Sequence, residues 1–202
     1  MPARIAGRLP GELDEQQAEV YRAITGGPRA AGPQAFPLTD EKGRLHGPFN
    51  AMLLSPPVGM AVQEVGAAVR YASLLTDRVR EMAILVVAAH WNSTFEREAH
   101  EAVGRSCGLT DAELNALRAG ELPALSDHAE RAAIRAALAL TRTGVLDDRE
   151  YYHAVAEWGE RGLFELTALV GYYALLALQL RVFAGEAPAD PCDPPQTESG
   201  TS

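Results

Sequence analysis

Cysteine is almost missing from this 202-residue chain: only Cys107 and Cys192 occur, with no C-x-x-C pair and no metal-ligand spacing around them. A disulfide framework is thereby excluded as the basis of the fold, and no pair of neighbouring thiols is present for redox chemistry. Clusters of Lys and Arg are missing too. Eighteen basic residues stand against 27 acidic ones, a net charge of −9, which makes a poor nucleic-acid binder. An acidic surface does not steer an anionic ligand either, so such a ligand must rely on local arginines and oriented dipoles. The opening residues, MPARIAGRLPGELDEQQ, contain no apolar stretch of the secretory type. The most hydrophobic segment, GLFELTALVGYYALLALQLRVF, has an apolar run only from Leu166 to Leu178, flanked by Glu165, Gln179 and Arg181. That run is short of the roughly 20 residues of a membrane span. The expectation is a core or subunit-interface helix in a cytoplasmic protein with no membrane partner.

What is present is an ordinary soluble composition, 47% hydrophobic and 22% charged. Helical periodicity dominates and no strand alternation appears, so the fold class is all-α, a helical bundle. One domain is expected over residues 1–187, with a Gly/Pro-rich loop at about 26–48 and a disordered tail over 188–202. Asp14 reads as an N-cap, and Thr110 with Glu113 has the spacing of a capping box. Gly108 stands in the C′ position that favours glycine. A helix in DDREYYHAVAEWG precedes the long terminal one.

One polar stretch interrupts the most apolar region: HWNSTFEREAH, residues 90–100. Ser93-x-x-Glu96 has capping-box spacing, so it reads either as a helix start or as part of an acid–base site. On a helical wheel over 94–107, Glu96, Ala99, His100, Val103 and Cys107 share one side, while Glu98, Glu101 and Arg105 share the other. Glu101 and Arg105 read as a solvated i, i+4 ion pair. Glu96 and His100 are one turn apart on the inward stripe. His100 is then either a satisfied core histidine or one half of a proton-sharing pair with Glu96. Glu81 opens the apolar run EMAILVVAAHW and sits either at an exposed first turn or in the core with a raised pKa. His90, near that helix's end, is either a cation on the C-terminal dipole or part of a pocket rim. Cys107 on the inward stripe reads as a small hydrophobe.

Glu81, eleven residues, Ser93, two residues, Glu96, three residues, His100: this order resembles the signature of the AhpD-like superfamily. In its peroxidase branch Glu and His bracket a C-x-x-C pair, and here Ser93 and Glu96 stand where those cysteines would be. The chain is thus more similar to the carboxymuconolactone decarboxylase branch, whose members often read R-H-W-x-x-x-Y-E-W-x-x-H where this chain has A-H-W-N-S-T-F-E-R-E-A-H. GPFNAMLLSPP, GLTDAELNAL and ERGLFELTALVGYYALLA extend the resemblance over residues 10–187. Phe95 replaces the usual tyrosine and Arg97 the tryptophan, and Arg97 becomes a carboxylate anchor if it turns inward. The resemblance implies an all-helical homo-oligomer, a trimer or hexamer, with no metal and no organic cofactor. It implies a lyase acting on a small carboxylated lactone or related unsaturated acid, or another proton-transfer enzyme on the same site. His100, Glu96, Glu81 and His90 would be catalytic, and Trp91, Ser93, Phe95 and Arg97 would bind substrate. A thiol peroxidase and a non-catalytic oligomer binding a hydrophobic acid are the remaining readings.

Overall fold

A computed structural model describes residues 4–27, 30 and 37–184 of the chain. In order these form α1 (Glu15–Thr25), α2 (Phe49–Met52), α3 (Pro56–Tyr71), α4 (Asp77–Trp91), α5 (Thr94–Ser106), α6 (Asp111–Arg118), α7 (His128–Thr143) and α8 (Asp148–Gln179). Among the described residues the only β pairing is an isolated antiparallel bridge between Thr39 and Leu45. The fold is all-α, as expected. The tail over 188–202 lies outside the described residues.

Five of the eight helices, α1, α4, α6, α7 and α8, begin where a short polar side chain satisfies a first-turn amide. Asp14, Thr110, Asp127 and Asp147 each accept a bond from the backbone N–H three residues on, which is worth about 1 kcal/mol per cap. Thr110 and Glu113 form the full reciprocal box. Gly108 (φ +84°) ends α5 in a Schellman turn, with Leu109 N–H donating to Gly104 and Gly108 N–H donating to Arg105. Gly159, at φ 67° and ψ 172°, breaks α8 between DREYYHAVAEW and the apolar remainder, so the two helices read from sequence are joined at one non-helical residue.

Helix α4 is the centre of the molecule. Every residue from Glu81 to Ala88 is buried, and α4 packs against α5, α6, α7 and α8. A helix apolar around its whole circumference requires neighbours on all sides. Asn92 then adopts the left-handed conformation (φ 49°, ψ 42°), which a short polar residue tolerates. Ser93 follows in extended geometry, and α5 folds back along α4. That two-residue reversal is what brings His100 to Glu81.

One sequence expectation fails on the outer side of α5. Glu101 is only 8% exposed, because Arg118 of α6 clasps its carboxylate with two guanidinium N–H groups while Arg105 stays 3.8 Å away. A helical wheel assigns Glu101 to a side, but it cannot see that α6 covers that side. The segment Asp148–Phe183 has the length and apolarity of a membrane span, yet half of its apolar window is buried inside the molecule, as in a core helix.

Candidate acid–base site

His100 lies between two carboxylates. Its Nδ1 is 2.6 Å from Glu81 Oε2, and its Nε2 is 3.3 Å from Glu96 Oε2. Glu81 is 0%, His100 2% and Glu96 3% exposed. Carboxylates accept and do not donate, so an imidazolium with N–H on both nitrogens fits both neighbours. Both glutamates and the histidine are thus brought together as the spacing suggested. The other oxygen of Glu96, Oε1, is buried with no hydrogen-bond partner.

Two arginines and a tyrosine complete the arrangement. Arg70, at the end of α3, approaches Glu81 to 4.0 Å and donates to the Tyr173 hydroxyl at 2.9 Å. Arg80 Nε lies 3.4 Å from Glu81 Oε1 and its Nη2 bonds Asp77. The Tyr173 ring meets His100 edge-on, with centroids 5.2 Å apart. Burial opposes ionisation of Glu81, but the positive His100, Arg70 and Arg80 outweigh it and hold this carboxyl below its ordinary range. The sequence alternative of a buried Glu81 with a raised pKa is therefore corrected: it is buried, and it is an anion. Burial likewise opposes a charged His100, and the Glu81 and Glu96 carboxylates overcome it, raising the imidazole pKa. Desolvation pushes the Tyr173 phenol well above its usual range, so it stays protonated. Neither Arg70 nor Tyr173 carries a sequence signal. Arg70 is a single cation near the end of a largely apolar helix, and Tyr173 looks like any aromatic in a core helix.

The other candidate residues are placed elsewhere. Ser93 occupies the N-cap position of α5, but its side chain makes no cap bond, so the capping box does not form and Glu96 turns to His100 instead. Ser93 is buried and has its own contacts. His90 is exposed at the end of α4 and touches only the edge of Trp91 in ring contact. It does not join Glu81 and His100, which are both buried. Trp91 is covered by the Arg181 guanidinium, 5.2 Å from its ring centroid. Arg97 turns toward α6, lining a narrow crevice with Glu101, Leu114 and Arg118, and does not anchor anything at His100. Phe95 lines a cavity of about 480 Å³. Cys107 is partly buried, and burial pushes its thiol up, away from the reactive thiolate. Among the described residues no group of three or more His, Cys, Asp or Glu side chains converges as metal ligands do; both His100 nitrogens already face carboxylates.

No family model matches the chain, and no curated protein sequence matches it. Solved structures do match its fold. A structure described as an alkylhydroperoxidase AhpD core, an uncharacterized peroxidase-related protein from Ralstonia eutropha, is 15% identical, with 94% of each chain covered and a TM-score of 0.70. An uncharacterized peroxidase-related protein from Silicibacter sp. is 13% identical, covering 93% of this chain and 92% of its own, at a TM-score of 0.67. The debrominase Bmp8 in complex with 2,3,4-tribromopyrrole is 13% identical over 90% of each chain, at a TM-score of 0.66. The chain has the all-helical AhpD-like fold.

Proposed function

We propose that this chain is a cofactor-independent acid–base enzyme of the carboxymuconolactone decarboxylase type, releasing CO2 from a small carboxylated lactone or related unsaturated acid. The observation that carries the reading is the buried row Glu81–His100–Glu96 with one Glu96 oxygen left unpartnered. An imidazolium held between carboxylates is a proton store. Glu81 fixes its charge and orientation, and Glu96 is the member whose second oxygen has no partner within the protein. In the reaction the C–C bond to the carboxylate breaks and its electron pair spreads onto the conjugated carbonyl as a dienolate. CO2 leaves, and the proton that ends on carbon comes from His100 through Glu96, to be replaced from water. Arg70 and Arg80 supply the local positive charge that draws an anionic acid into an otherwise acidic protein. His90 has no part in this scheme.

The same site serves a proton-transfer isomerase equally well, and product analysis separates the two. Incubation with a panel of carboxylated lactones and β-keto acids is expected to release CO2 from at least one member. Rearranged product without CO2 would favour the isomerase. No turnover of any member would remove both and leave a binding protein. A thiol peroxidase is disfavoured, since thiol–disulfide exchange needs a partner sulfur that Cys107 lacks within the described residues.

The reading includes a homo-oligomer in the cytoplasm. On α8, Phe164 (71% exposed), Leu175 and Leu178 stand out of the core, and Val182 follows them in the terminal π-helical turn. With Ala168 and Gly171 between them they make an apolar seam at alternating spacings of four and three. An apolar stripe of that length favours a second copy of the chain over water. Light scattering is expected to give a trimer or hexamer at micromolar concentration. A mass near the 21.6 kDa of one chain would overturn the assembly.

A further inference from the structure

Between α7 and the first stretch of α8 lies a surface groove of about 300 Å³ that no residue of the acid–base row lines. It shares Arg135, Arg149 and His153 with a smaller one of about 120 Å³ beside it. Arg131 and Arg135 stand one turn apart on α7, and Arg149 and His153 one turn apart on α8, so each helix turns one stripe to the groove. The stripes are held together. Trp158 Nε1 donates to the Ala129 carbonyl at 2.8 Å, fixing α8 as an antiparallel neighbour of α7.

The charge in the groove is not neutralised as it is elsewhere in this chain. Arg78, Arg105, Arg118 and Arg161, on other helix surfaces, each pair with a carboxylate. Arg135 and Arg149 are exposed and reach no carboxylate among the described residues. Their own helices supply none, because no acidic residue stands three or four positions from either. At that spacing Arg135 meets Arg131, a like charge, and Arg149 meets His153. Arg131 is held by the carbonyls of Leu125 and Ser126, which orient its guanidinium without cancelling it. Three carboxylates mark the ends. Asp147 and Glu150 accept each other's backbone N–H, at 3.2 Å and 2.7 Å, as the capping box of α8, and Glu157 stands one turn beyond His153. An anion is therefore favoured in the middle and repelled at both ends, which limits it to a small molecule.

We propose that this groove is a second binding site, for a small molecule carrying two or more negative charges as phosphoryl or carboxylate groups, held between Arg135 and Arg149. Guanidinium forks on facing helices match the paired oxygens of such groups, and His153 offers an N–H in either tautomer. The site stands apart from the acid–base chemistry proposed above, and neither depends on the other.

The test is calorimetric titration of the full-length protein at low ionic strength with pyrophosphate, citrate and acetate. At least one of the two polyvalent anions is expected to bind at one site per chain, in the millimolar range or tighter, with acetate about tenfold weaker or more. Pyrophosphate ahead of citrate assigns the site to phosphoryl ligands, and the reverse order assigns it to carboxylates. Arg135→Gln and Arg149→Gln, checked for folding by circular dichroism, are each expected to weaken the better anion by about three- to tenfold. Arg22→Gln removes the same charge from an exposed position on α1 and is expected to change nothing, as is Glu96→Gln in the acid–base row. Binding of neither polyvalent anion, acetate binding as tightly as both, or an equal loss in Arg22→Gln would overturn the proposal. If the groove variants fail to fold, the ranking of the three anions on the unaltered protein, with Arg22→Gln beside it, decides the matter.

Discussion

Glu81→Ala is expected to destabilise the fold by about 3–5 kcal/mol, the cost of breaking a buried ion pair and leaving its partners uncompensated. Glu81 has no exposed surface, and it faces His100 at 2.6 Å, Arg80 at 3.4 Å and Arg70 at 4.0 Å. Alanine leaves those groups in the core without the anion that holds them. The loss has a pH signature. Glu81 lies below its ordinary pKa of 4.5 in the folded chain, so its contribution is present above that value and disappears as pH falls through the folded one. His100 lies above its ordinary 6.5, so its contribution is complete below 6.5 and disappears as pH rises through the folded value. Both contributions are complete only between 4.5 and 6.5. Urea unfolding over a pH series is therefore expected to give a stability maximum in that window, and a flatter curve for Glu81→Ala. A cost below about 1 kcal/mol, the size typical of exposed pairs, would show that Glu81 is not held as described.

How much of this was readable beforehand depends on whether one helix or several set the feature. The caps at Asp14 and Thr110, and Gly108 after α5, are decided within a single turn, and they form as the local sequence requires. Glu96 and His100 are one turn apart on one helix, so their meeting follows from helical geometry alone. Glu81 reaches His100 only through the reversal at Asn92, and it was legible through a family spacing rather than through periodicity. Arg70 and Tyr173 are 103 residues apart, and nothing in either segment announces their bond. The failed readings have the same origin. Ser93 has the right spacing for a capping box, but the competing partner of Glu96 wins. Glu101 is assigned to a side correctly enough while the direction of Arg97 is left open, and it is α6, invisible to a wheel, that makes a covered crevice there.

The largest kinetic effect is expected from His100→Ala, a loss on the order of 10²–10⁴ in kcat, the range for removing a general acid or base. Because alanine also removes a partner of Glu81, turnover must be expressed per folded protein. Glu96→Gln separates chemistry from packing. It keeps the shape and forms no cap in either version, since Ser93 makes no cap bond, so its stability cost should be small beside its kinetic one. Cys107→Ala is the control and should leave turnover within a small factor, since its thiol is pushed away from the thiolate form. The pH–rate profile carries the most specific consequence. If protonated His100 delivers the proton, the rate falls as pH rises through its raised pKa. Replacing Glu81 by glutamine withdraws the nearest carboxylate that raises it, so the alkaline limb should move to lower pH. A core histidine with a structural role alone would leave that limb where it was. Equal turnover by His100→Ala and the unaltered protein would remove the histidine from the reaction. A limb displaced in Glu81→Gln and unmoved in Cys107→Ala would tie the proton to the row that α4 and α5 assemble.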